Sequence, residues 1–324
     1  MKKSFLRRNK GIVIFLAILL VFVIAIFSFL PRENYGKNGS YVAVLKIEGT
    51  ISEASEGLSS SQNGYDEEFI MNTIKKLEKD SSNRGILLYI NSPGGSVSAS
   101  DSLYLRLMDY KRKTNRPVYA YFYNMAASGG YYVACAADEI FSDRNAWTGS
   151  IGVTLGDIYN ASELLNKIGI KAVNISSGPN KAMGSMTQPM TPEQEEIFRG
   201  LVEDAYGQFL GIVSEARGIS VETLRPIADG RVYTANQGKA LGLVDEITTL
   251  DGAKAKIRQE GKESLNFVEI TKPKSVGLLD SYLLGGNSSS QNREAKMDKA
   301  LDLALKALGD GSEAKISYMS PITK

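Results

Sequence analysis

Gly85–Ile90 (GILLYI) is a nearly unbroken apolar run that ends in Asn91-Ser92-Pro93-Gly94-Gly95. A strand that is apolar on both faces has to be covered on both, which is the pattern of a buried parallel strand. Pro117–Tyr123 (PVYAYFY) repeats the device and leads into Met125-Ala126-Ala127-Ser128-Gly129-Gly130. Two such runs, each followed by a helical pattern, commit the chain to strand–helix alternation and an α/β fold with a largely parallel sheet.

The rest of the sequence continues that alternation. Tyr41–Ile51 reads as a strand, and Ser52–Gly64 as a Ser/Gly-rich loop. Asp66–Lys79 places Phe69, Ile70, Ile74 and Leu77 close to helical spacing, and Ser98–Lys113 reads as a second helix. Glu139–Phe141 and Lys171–Ile175 are strand-like, and Ala161–Ile168 is helix-like. Glu193–Arg217 reads as a long helix capped by Gly218, and Val221–Ala228 as a further helical stretch. Ala235–Gly242 followed by Leu243–Ile247 reads as helix, glycine cap and strand. Beyond Lys272 regularity falls. Leu284–Gln291 is flexible in composition, Glu294–Leu308 fits an amphipathic helix, and Ser317–Lys324 is expected to fray. The expected organisation is a basic segment at 1–10, a transmembrane signal-anchor at 11–30, a linker at 31–40, a domain at 41–270 and a tail at 271–324.

The anchor follows from Gly11–Leu30, twenty residues without a charge. At ~1.5 Å per residue that length matches a ~30 Å hydrocarbon core. Lys2, Lys3, Arg7, Arg8 and Lys10 precede it, so the positive-inside rule puts the N-terminus in the cytoplasm and the domain outside. A cleaved signal peptide fits less well, since its apolar core is usually shorter and no A-x-A site follows Leu30. The net charge of +2 hides an uneven split. Residues 1–39 carry seven Lys+Arg and one Asp+Glu, leaving 31 basic and 35 acidic residues in the remainder. A folded part with net negative charge argues against nucleic acid as a partner. One cysteine, Cys135, excludes an intrachain disulfide and a multi-cysteine zinc site. No cofactor is expected.

Both Gly-rich strand ends are expected on one side of the sheet, where open α/β folds bind ligands. Ser128, between Ala127 and Gly129, has the clearance that a nucleophile needs for a substrate backbone to approach. If Ser128 opens a helix, its own N–H points at the reacting centre, and Gly94 or Gly95 supplies a second oxyanion donor. Taken singly, each turn reads as an ordinary strand-to-helix connection, and only the two together bring the functional reading level with it. A serine hydroxyl also needs a base, and the chain has no histidine. A carboxylate, a lysine or a tyrosine remains. A lysine acts only when neutral, which asks burial or nearby positive charge to lower its pKa from ~10.4 towards ~7–8. Spacing does not choose among the lysines.

NSPGG, MAASGGYYVACAAD, TGSIGV, SGPNKAMGS, ADGRVY and ALGLVDE, in that order between Tyr41 and Ile247, resemble the signal peptide peptidase A family of Ser-Lys proteases. The resemblance implies a ClpP/crotonase-like superfold, with Ser128 as nucleophile and Lys181 as general base. It implies an oxyanion donor on Gly95, with Gly129 adjoining the nucleophile, and Ser150 as a hydroxyl that orients the lysine. Carrying Ser128 and Lys181 in one copy of the domain, the chain resembles the family's short form. The expected substrates are short apolar peptides such as cleaved signal peptides, and the expected assembly is a homo-oligomeric ring in which Lys181 could serve a neighbour's Ser128.

Other residues have plainer readings. Asn91 and Ser92 shape a turn, Arg231 and Tyr233 are structural, and Asp138 and Asp245 are helix-end or surface carboxylates. Cys135 fills a small core position. Met183, Met186 and Met190 line an apolar cleft or sit in the core. Two competing functions share the fold: a membrane-tethered scaffold without chemistry, and an acyl-CoA-processing enzyme. The latter sits badly with an extracytoplasmic domain.

Overall fold

A computed structural model describes residues 39–53, 64–261, 264–272 and 317–319. Most of the expected strands form one eight-stranded sheet. Its central strands are β1 (Tyr41–Glu48), β2 (Asn83–Ser92) and β4 (Val118–Ala127), all parallel. β4 changes partner along its length. Its first half pairs with β5 (Glu139–Ser142), and Met125–Ala127 pairs with β6 (Trp147–Gly149). β5 continues to β8 (Glu246–Ile247), β1 pairs with β9 (Asn266–Glu269), and β7 (Val232–Thr234) closes the β6 edge antiparallel. The three-residue β3 (Gly94–Ser96) stands apart and pairs antiparallel with β10 (Ser317–Met319).

Alternation along a strand sends neighbouring side chains to opposite faces. Val42, Val44, Leu87, Tyr119, Tyr121 and Phe141 form one core with Ala253 and Ile257 of α8 (Leu250–Gly261). The intervening residues, among them Leu45, Ile47, Leu88, Ile90 and Phe122, are equally buried. Helices α1 (Glu67–Lys79) and α2 (Val97–Thr114) bury Ile70, Ile74 and Leu77, and Leu103, Leu107 and Tyr110. Burial on both faces explains why these strands lack a polar side.

Helix ends follow local chemistry. Asp66 caps α1 by accepting from the Phe69 N–H, and Ser96 caps α2 by accepting from the Ala99 N–H. The longest helix, α5 (Pro192–Arg217), starts at a capping box between Thr191 and Gln194 and ends at Gly218, which takes a left-handed φ of 63°. Short helices complete the chain: α3 (Gly129–Ala134), α4 (Ser162–Lys167), α6 (Val221–Leu224) and α7 (Ala235–Ala240).

Three sequence expectations are corrected. Lys171–Ile175 forms no strand: Val173 and Ile175 are 83% and 95% exposed, with no strand to pair with among the described residues. The stretch at Val221–Ala228 breaks into α6 and a 3-10 turn at Arg225–Ile227, because Pro226 withholds an N–H from the helix. Ser317–Met319 is paired on β3 rather than frayed. Among the described residues no helix is long and apolar enough to cross a membrane. The expected anchor at 11–30, the flexible stretch at 284–291 and the expected helix at 294–308 lie outside the described residues, as does most of the expected loop at 52–64.

Candidate active site

Ser128 stands between the end of β4 and the start of α3, with φ 54° and ψ −121°. A non-glycine residue in such a conformation carries roughly 1–3 kcal/mol of backbone strain. The surroundings hold it there. The Ser128 N–H donates to the Gly149 carbonyl at 2.8 Å, and the Ser128 carbonyl accepts from the Tyr132 N–H at 2.9 Å. The hydroxyl is fully buried and makes no hydrogen bond.

This corrects one expectation about the oxyanion site. The Ser128 N–H is committed to Gly149 and is not available to a developing negative charge. The free amide is the next one along. Gly129 is the first residue of α3, where the helix offers no acceptor for its N–H.

β3 supplies the facing amide. Ile51 pairs with one edge of β3, donating to Gly94 O at 2.9 Å and accepting from Ser96 N–H at 2.8 Å. Backbone groups alternate along a strand, so the Gly95 N–H and C=O point to the other edge. There β10 lies antiparallel, with Tyr318 opposite Gly95. Gly95 has to be glycine: a Cβ there would lie 1.7 Å from the Ile51 carbonyl oxygen. Gly129 is as confined. A Cβ on it would lie 2.4 Å from Ser100 Oγ and 3.1 Å from Gly95 N. Gly95 and Gly129 are thus packed together beside Ser128. Ser92 shapes this turn, its hydroxyl donating to Gly49 O and accepting from Gly94 N–H.

Ser150 adjoins Ser128 on the opposite side. Ala127 pairs with Gly149, and Ser150 follows at a positive φ of 50°, its N–H donating to Arg231 O at 2.7 Å. Arg231 therefore acts through its backbone, while its side chain pairs with Asp229. The Tyr233 hydroxyl donates to Ile227 O. Asp138 accepts from Val118 N–H and pairs with Lys111, while Asp245 accepts from Ile140 N–H and pairs with Arg217. Burial pushes the Cys135 thiol up to about 12. Met186 and Met190 are exposed, and Met183 is half-buried.

Lys181 makes no hydrogen bond to Ser128. It is exposed, in the turns between α4 and α5, and makes no side-chain hydrogen bond or ion pair among the described residues. Its loop is nevertheless held. The Gln194 side chain donates to Pro179 O at 3.0 Å, and Asn180 donates to Glu193 at 3.0 Å, tying the loop to the first turn of α5. Tyr159, Leu164, Ile168, Val173 and Ile175, all exposed, share this part of the chain.

A strained, buried serine at a strand end, flanked by two constrained glycine amides and an edge that takes an extended backbone, is an arrangement suited to acyl transfer. The peptidase family S49 model matches residues 110–264, and the Clp protease model matches residues 56–148. An Enterococcus faecium protein that carries the name signal peptide peptidase SppA is 30% identical over 87% of this chain and 82% of its own length. The chain belongs to the signal peptide peptidase A family of serine proteases. A protease of Methanocaldococcus jannaschii is 36% identical over 69% of this chain and 72% of its own. Protease 4 of Salmonella typhi is 32% identical over 69% of this chain, which spans only 35% of that longer relative. Membership in the signal peptide peptidase A family makes the chain a serine peptidase with a Clp-protease-like fold.

Sequence reasoning missed three neighbours of Ser128 and its glycines: Gly149 as the group that consumes the Ser128 amide, β10 on β3, and Ser100 against Gly129. Only Ser100 left a trace. It occupies the apolar stripe of α2 with Leu103, Leu107 and Tyr110, where a hydroxyl is out of place. Among the described residues no cluster of three or more metal-ligating side chains occurs.

Proposed function

We propose that the chain is a membrane-anchored endopeptidase that cuts short apolar peptides, such as cleaved signal peptides, with a Ser128–Lys181 dyad. The observation that carries the reading is the antiparallel seating of Ser317–Met319 on Gly94–Ser96, beside Ser128. A peptide laid on that edge in the same way presents its carbonyl to Gly95 and Gly129. Ser128 attacks that carbonyl while neutral Lys181 takes its proton. The two glycine amides hold the oxyanion, Lys181 then protonates the leaving amine, and water releases the acyl-enzyme.

Lys181 reaches Ser128 from a neighbouring copy in a ring. The exposed apolar residues around it form the contact between copies, and closure there buries the lysine head beside Ser128 and Ser150, giving the desolvation that a lysine base requires. Residues 11–30 anchor the chain, residues 1–10 stay in the cytoplasm, and the domain at 41–270 works on the other side, followed by the tail at 271–324.

Hydrolysis of a fluorogenic apolar peptide by the detergent-solubilised chain tests this reading. Ser128→Ala and Lys181→Ala abolish turnover, and Lys181→Arg is equally inactive because arginine keeps its proton. Turnover by Lys181→Arg would sink the dyad. Wild-type protein with neither turnover nor labelling of Ser128 by a fluorophosphonate would indicate a scaffold.

A further inference from the structure

The Ser100 hydroxyl is fully buried, makes no hydrogen bond, and has no role in the chemistry so far. Helix serines commonly bond back to the carbonyl four residues earlier. Ser100 does not, since its hydroxyl has no partner among the described residues. An unsatisfied buried hydroxyl is costly, and an alanine would remove that cost without changing the shape of α2. The hydroxyl lies against Gly129. One point in space, where a Gly129 Cβ would be, lies 2.4 Å from Ser100 Oγ and 3.1 Å from Gly95 N. Ser100 Oγ and Gly95 N thus both close on Gly129, the residue that follows Ser128.

We propose that Ser100 is a third hydrogen-bond donor to the oxyanion formed when Ser128 attacks a peptide carbonyl. The proposal rests on Ser128 being the nucleophile. As the Ser128 Oγ–carbon bond forms, the carbonyl π pair moves onto oxygen, and the Ser128 proton passes to the base. The oxygen then receives hydrogen bonds from the Gly95 and Gly129 amides and from the Ser100 O–H. Ser100 keeps its proton throughout, and collapse of the intermediate restores the carbonyl as the amine leaves. The partner that the hydroxyl lacks at rest arrives only with the charge, so the interaction favours the transition state over the bound substrate. A hydroxyl placed this way is a catalytic residue that no histidine, cysteine or carboxylate pattern would reveal.

The test compares wild type, Ser100→Ala and Ser100→Cys, each as the full chain. Losing an oxyanion donor elsewhere lowers kcat by about 10²–10³-fold, and one donor of three is expected to account for a fall of about tenfold or more. Ser100→Ala should show that fall with KM within about twofold of wild type. Its thermal midpoint should be unchanged or higher. Binding of a peptide aldehyde, which forms a tetrahedral adduct with Ser128, should weaken in step with kcat/KM, while binding of the matching unreactive peptide stays constant. Ser100→Cys, a weaker donor, should fall between the two. The proposal is overturned if Ser100→Ala keeps both kcat and aldehyde affinity, or if its losses appear in KM together with a lowered thermal midpoint. A fluorophosphonate separates the two readings. No labelling of Ser128 in wild type overturns the nucleophile and this inference together, whereas labelling of Ser100→Ala at the wild-type rate overturns this inference alone.

Discussion

At the scale of single residues, the site is built by exclusion. Gly95 is pressed against the Ile51 backbone and Gly129 against Ser100, so neither position tolerates a methyl group. Gly129→Ala is the milder change, because its nearest clash is with a side-chain oxygen and backbone comes no closer than 3.1 Å. It is expected to destabilise the fold by about 1–3 kcal/mol, typical of overpacking, and to reduce kcat/KM by more than about a hundredfold by displacing an oxyanion donor. A thermal melt and steady-state kinetics check the two effects separately. Ser128, the proposed nucleophile, stands out in the sequence by its small neighbours Ala127 and Gly129 at a strand end together with the family resemblance. Lys181 is legible only through the family resemblance. Nothing local marks it, since it is exposed and unpaired among the described residues.

At the scale of elements, strands declare themselves when their partners lie in the same chain. β1, β2 and β4 stand out in the sequence because burial on both faces forces long apolar runs. Lys171–Ile175 has the same β-branched composition but no adjacent strand, so composition alone mispredicts it. The link between α5 and the sheet runs through Asp245. Burial raises its carboxyl pKa, but the Arg217 guanidinium and the Ile140 N–H more than offset this and hold it below the ordinary 3.8. A depressed carboxylate stabilises the fold above its unfolded pKa and loses that contribution as pH falls through its folded pKa. Asp245→Asn is therefore expected to lower stability at neutral pH, and the difference from wild type should shrink below about pH 4. Urea titrations at neutral and acid pH measure this. An unchanged gap at both would show that the pair contributes only geometry.

At the scale of the whole molecule, Ser128 and Lys181 lie on different parts of the chain, and no hydrogen bond joins them. If a neighbour supplies the base, two dead variants should rescue each other. Mixing Ser128→Ala with Lys181→Ala, after dissociation and reassembly, should restore about a quarter of the wild-type sites by random neighbour pairing. Activity that stays at zero after verified subunit exchange would place both groups of the dyad in one chain. The strand edge of β3 gives a second expectation. Because Ser317–Met319 occupies it, truncation after residue 316 should lower the apparent KM for a test peptide, since a tethered segment competes at high effective concentration. An unchanged KM would mean that substrate enters elsewhere.

Cys135 has a practical consequence. It is the only cysteine, it is buried, and its thiol is pushed up to about 12, so it stays protonated and shielded from maleimide dyes at neutral pH. Any cysteine added at the surface, such as Lys239→Cys on the exposed side of α7, becomes the sole dye-accessible position without removing a native residue first. Fluorescence transfer between singly labelled copies can then follow how the molecules meet, in the intact protein and in real time.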